Sequence, residues 1–368
     1  MTGKDRDMPA LWKAIVLTAA VAAWATGAAA QQRITTCDRE IEALCREIAG
    51  ASAEAQEAFC NVADGARDPA EGDPLRTTIF PGHADAVAAI AVTPDGERAL
   101  SASRDGALML WDLETGEALR TFEGHQAGVL SVAIGPEGRF ALSGDEDSVL
   151  ILWDLESGEE AARLVGHDDA VTTVAFTPDG KLALSGSRDR SLFVWDLRVR
   201  RPMLRLEAHR DQVNGLAISA DGATVLSAGA DQRLILWEID SGAPVKFIPS
   251  NVDAMTAVAM STDGRTAISA GENAGVVIWD LVRGRALRTL RGHGGPVTDL
   301  AFSKSETHAL SASQDRSLIW WELETGVALH ALQCDSTAIG AVAISPSGAA
   351  AVSGDMHGSL KVWRVGNF

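Results

Sequence analysis

The chain has 368 residues, of which 46% are hydrophobic, with a mean hydropathy of +0.04 and a formal net charge of −18 at pH 7. That length and apolar content suffice for a large buried core and exclude a disordered chain. The acidic balance repels nucleic acid and anionic lipid surfaces, although acidity by itself selects no partner.

The first thirty residues differ from the rest. Lys4, Arg6 and Lys13 precede or open an alanine-rich apolar run over 14–27, which passes into Ala28, Ala29, Ala30 and Gln31. A basic start, a short apolar stretch and a close of small residues mark a secretory signal, with cleavage expected after Ala30 and a periplasmic or secreted product. The competing reading is a retained anchor, against which the shortness of the run argues. No membrane span is expected after cleavage.

Residues 31–74 read as a helical segment and linker. Thr36 is placed to cap a first short helix, Gly50 to end it and Ser52 to cap a second, together filling 37–63. Residues 64–74, rich in Asp, Gly and Pro, form the linker. Export gives the cysteines meaning, because an oxidising compartment lets thiols pair. Cys37, Cys45 and Cys60 lie in this segment, and Cys334 alone lies beyond it. If all four pair within one chain, one of the first three bonds to Cys334; parity does not choose which.

From residue 75 the chain repeats. Trp111, Trp153, Trp195, Trp237, Trp279, Trp321 and Trp363 are spaced by 42 residues throughout. Ten positions before each stands a serine: Ser101, Ser143, Ser185, Ser227, Ser269, Ser311 and Ser353. Six before, five repeats carry Asp105, Asp147, Asp189, Asp231 and Asp315; twenty-eight before, five carry His83, His125, His167, His209 and His293. Within the first repeat, apolar stretches at 87–92, 98–103, 107–112 and 117–122 read as strands. Pro94-Asp95-Gly96, Asp105-Gly106 and Thr115-Gly116 supply the turns. Four strands at this period, with Gly-His early and Trp-Asp late, resemble the WD-repeat family of β-propellers over about four-fifths of the chain. The resemblance implies an all-β, seven-bladed propeller over 75–368, monomeric, whose last blade is completed by residues 75–80.

Ser, His and Asp together suggest a catalytic triad, but an active site is needed once and this constellation recurs in five repeats. The resemblance implies instead a hydrogen-bonded chain from Trp through Ser and His to Asp. The implied sets are Trp111-Ser101-His83-Asp105, Trp153-Ser143-His125-Asp147, Trp195-Ser185-His167-Asp189, Trp237-Ser227-His209-Asp231 and Trp321-Ser311-His293-Asp315. Two repeats depart: Asn251 and Asn273 fill the His and Asp positions of the fifth, and Asp335 and His357 fill them in exchanged order in the seventh. No phosphate-binding Gly-Lys loop, paired metal-ligand cysteines or nucleophile elbow is present. No enzyme, cofactor or metal is therefore expected.

Loops bearing His and Asp must share one face, which in the resembled family commonly holds partners. Candidate rim residues there are Arg104, Glu146, Arg188, Gln212, Asn214, Glu272, Gln314 and Met356. The expected function is a protein-binding scaffold outside the cytoplasm, its partner a protein or peptide and not nucleic acid; the alternative is a sensor binding a small ligand at the central channel mouth.

Overall fold

A computed structural model of the chain describes residues 33–36, 75–250, 253–303, 305–333 and 337–365. These form seven sheets arranged as the blades of a closed propeller, each with four antiparallel strands and the sixth with a fifth, parallel strand at its outer edge. Blade one comprises Val87–Val92, Arg98–Ser103, Ala107–Asp112 and Ala118–Glu123, and the pattern recurs in blades two to six. The innermost strand of each blade lies against that of the next, and Ile339–Ile344 of blade seven lies against Val87–Val92 of blade one. The ring therefore closes.

Closure is made by the start of the propeller. Leu75–Pro81 pairs antiparallel with Ser359–Val365, in register from Leu75 with Val365 to Pro81 with Ser359, as the outer strand of blade seven. Phe80 from this strand stacks on Trp111 of blade one, with ring centroids 6.0 Å apart. The strand thus ties the last blade to the first through its backbone and an aromatic contact together. Pairing also removes an open edge that would otherwise template association.

The core sits between blades rather than within them. Blade one contributes Leu100, Leu108 and Phe122 to a cluster completed by Val129, Val132 and Trp153 of blade two. Equivalent clusters follow around the ring. Alternation along each strand sends one face to each neighbour, so both faces are apolar.

Two features depart from the sequence-based expectation. Arg33–Thr36, for which no strand was expected, is a strand lying parallel to Ala328–Gln333 at the outer edge of blade six, and it ends where the first expected helix would begin. An Ile-Thr-Thr run carries β propensity, and the outer strand offers an unpaired row of backbone groups. The two expected helices, the linker and the four cysteines lie outside the described residues.

The second feature is a bulge in the innermost strand of every blade, as at Val87/Ala89 and Val171/Thr173. A bulge re-aims the extra residue. In blades three to six that residue bonds to the next blade: Asn214 donates to Met255 O (2.7 Å), Thr256 to Val297 O (2.5 Å) and Thr298 to Ile339 O (2.8 Å), and Thr172 donates to Val213 O. Side-chain bonds therefore join blades three to seven in sequence around the channel.

A candidate partner-binding rim and the networks behind it

The Trp indole of each repeat is buried and must find an acceptor. In blade one, Trp111 Nε1 donates to Ser101 Oγ (2.8 Å), Ser101 Oγ meets His83 Nε2 (2.7 Å) and His83 Nδ1 meets Asp105 Oδ2 (3.0 Å). One donor assignment satisfies the chain: the indole donates to the hydroxyl, the hydroxyl to Nε2 of a neutral imidazole, and Nδ1–H to the carboxylate. Burial keeps the His83 pKa below its ordinary value even though Asp105 pulls it upward. Burial would raise Asp105, but the amides of Ala107 and Ala84 and the His83 ring outweigh it and hold the carboxyl low.

The same linkage joins Trp195, Ser185, His167 and Asp189; Trp237, Ser227, His209 and Asp231; and Trp321, Ser311, His293 and Asp315. These hydroxyls are fully buried beneath the indoles. No substrate carbonyl could reach them, so the sets hold loops together rather than attack a ligand.

Blade two corrects the sequence reading. His125 Nδ1 bonds Asp145 Oδ2 at 2.6 Å, and Asp147, assigned to that role, is exposed with its amide donating to Asp145 Oδ1. Position 145 ends the strand, where blades one, three and six carry Ser103, Ser187 and Ser313. A carboxylate already buried there reaches the imidazole first, and a second charge beside it would be repelled. Blade seven repeats only the backbone half of this arrangement: Asp355 accepts the amides of His357 (2.8 Å) and Ser359 (3.0 Å). His357 itself is exposed; Asp335, its expected partner, lies outside the described residues, as does Asn251. Asn273 turns back on the amide of Gly275 (3.3 Å).

In front of these networks, seven backbone bonds build the rim. The amides of Arg104, Glu146, Arg188, Ala230, Glu272, Gln314 and Met356 donate to the carbonyls of Ala86, Gly128, Ala170, Gln212, Ala254, Pro296 and Ala338. Each blade thus presents one turn position in the same place. Arg104, Glu146, Arg188, Glu272, Gln314 and Met356 are exposed there, and Gln212 is half-buried. Arg104 and Glu146 approach to 3.7 Å across neighbouring blades. Asn214 is half-buried and turned toward the neighbouring blade, with one Nδ2–H used on the inter-blade bond to Met255 O.

Sequence comparison bears on this arrangement directly. The WD domain, G-beta repeat matches residues 72–112, 116–154, 158–196, 200–238, 284–322 and 326–364. The chain belongs to the WD-repeat family. Residues 239–283 of this WD propeller are left unmatched, and they include the repeat in which Asn251 and Asn273 replace His and Asp. The WD propeller is also 45% identical over 58 residues to small ribosomal subunit protein RACK1 of Candida albicans, a match covering 16% of this chain and 18% of that protein. Propellers of this family are typically non-enzymatic protein-interaction scaffolds.

Sequence reasoning missed three parts of the site. The inner-strand bulges and the buried role of Asp145 are described above. The third is Asp299, half-buried on the innermost strand of blade six, where the other repeats have only small residues. Its carboxylate accepts the amides of Leu300 and Val342, both short of 3.0 Å. Burial pushes its pKa up to about 6 against those bonds.

Proposed function

We propose that this protein is a scaffold outside the cytoplasm that holds a protein or peptide partner on the rim. The observation supporting this is the ring of rim turns, in which every blade contributes one outward position of fixed spacing and mixed charge. Channel chemistry does not favour a small-ligand sensor: the side chains of Thr172, Asn214, Thr256 and Thr298 are committed to neighbouring carbonyls, so few polar groups are left to converge on a ligand. Export rests on the signal-like residues 1–30 and is tested by the amino terminus of the mature protein, expected at Gln31.

Capture from the cell envelope, using the mature chain as bait, tests the scaffold. Arg104→Glu together with Arg188→Glu should reduce recovery of the captured partner severalfold while leaving the melting temperature within about two degrees, since both side chains are exposed. Undiminished capture would move the binding site off the rim.

A covalent tether belongs to the same reading. The parallel register of Arg33–Thr36 ends with Thr36 beside Gln333, and in the sequence Cys37 and Cys334 come next. That register favours Cys37 over Cys45 or Cys60 as the partner of Cys334. The two thiols would pass two electrons and two protons to an oxidised protein disulfide of the compartment.

A further inference from the structure

The face opposite the rim carries the turns between first and second strands and between third and outer strands. In six repeats the first of these turns opens on a hydroxyl residue, such as Thr93, Thr177 or Ser219; in blade two it is Gly135. Where present, the hydroxyl buttresses the turn, as when Thr177 donates to Asp179 (2.7 Å). At the second turn, blades one, two, four, five and six place a glycine with positive φ, namely Gly116, Gly158, Gly242, Gly284 and Gly326. Blade three places Arg200 there, at φ 58°. An arginine held in the left-handed region is strained, and such strain persists where surrounding structure maintains it. Room for it comes from Ala162, whose counterparts Arg120 and Leu204 crowd the glycines of the following blades.

Both departures line one groove of about 720 Å³ between blades two and three. Its floor includes Phe140, Phe176 and Leu197, which pack on the inter-blade core yet remain partly accessible. Its wall carries Arg198 and Arg200, both exposed. Arg200 uses one nitrogen on Ala161 O (2.7 Å), and Arg198 has no side-chain partner among the described residues. Of the acids nearby, Asp196 caps the amides of Arg198 and Val199, and Asp179 is paired with Lys181 (2.9 Å); Glu137 alone faces the groove without such a bond among the described residues. The charges lining the groove, Glu137, Asp179 and Asp196 against Lys181, Arg198 and Arg200, cancel, so on a chain of net charge −18 it is a locally neutral patch in which Arg198 and Arg200 are the cations without an acidic partner among the described residues.

We infer that this groove is a second docking site, for an acidic segment of a partner protein that seats a bulky apolar side chain on Phe140 and Phe176 and sets carboxylates against Arg198 and Arg200. Apolar burial supplies affinity and paired guanidinium–carboxylate bonds supply orientation. The site is independent of the rim, so loss of one leaves the other testable.

A phage-displayed random dodecapeptide library selected on the full mature chain tests it. Selected sequences should carry an aromatic or large aliphatic residue flanked by Asp or Glu. Fluorescein-labelled synthetic copies should lose about tenfold in affinity on Arg198→Glu or Arg200→Gly and nothing on Arg104→Glu with Arg188→Glu. Arg200→Gly relieves the left-handed strain, so it should melt at the same or a higher temperature and separate lost binding from lost folding. No enrichment, enrichment without acids, or affinity unchanged by both groove variants would overturn the inference. So would concentration-dependent dimerisation abolished by Arg198→Glu, which would assign the groove to a second copy of this chain.

Discussion

At the residue scale, the seven Trp positions and their serines were legible because they recur, and recurrence distinguishes a structural bond from a catalytic one. Which acid meets each imidazole was less legible. Period alone selects Asp147, whereas the buried end of a strand selects Asp145, two residues away. Asp145→Ala should therefore destabilise the protein by roughly 1–3 kcal/mol and Asp147→Ala by no more than about 0.5 kcal/mol, as measured by urea unfolding. Equal effects would return the role to Asp147. Asp299 was passed over because its position in the repeat is filled by small residues elsewhere. Its folded pKa lies above that of an unfolded aspartate, so its contribution is present below about pH 4 and is lost as pH rises through about 6. Unfolding free energies should accordingly fall between pH 4 and 6 in the wild type relative to Asp299→Ala. A parallel pair of pH curves would refute the assignment.

At the scale of elements, the strands of the first repeat lie where apolar stretches and turn residues put them, with the outer strand shifted by one residue to Ala118–Glu123. The inner-strand bulges escaped notice because a bulge is a pairing irregularity, and pairing partners are not written in a single strand's sequence. Arg33–Thr36 escaped for a related reason: four residues carry little local signal, and the open outer strand of blade six that supplies their backbone bonds is about 300 residues away in sequence. The groove was not anticipated either, since Gly135 and Arg200 look like ordinary repeat variation until two blades are set side by side. The parallel register carries its own prediction. Non-reducing peptide mapping of the mature protein should yield a linked pair containing Cys37 and Cys334, and Cys37→Ser with Cys334→Ser should lower stability by roughly 2–4 kcal/mol. A Cys334 alkylated without reductant would exclude the tether.

At the scale of the whole molecule, rim and groove exist only because seven blades close into one ring. Each inter-blade core is shared, so an unclosed ring would expose the apolar faces of its two end blades and a bare strand edge. The strand Leu75–Pro81 is the residue-level agent of closure, through its pairing with Ser359–Val365 and the Phe80–Trp111 stack. The decisive measurement is the thermal unfolding of a chain beginning at Gly82 beside one beginning at Pro74. The closed-ring account predicts that the shorter chain is insoluble or melts roughly 10 °C or more below the longer one; coincident melting of two soluble chains would contradict it.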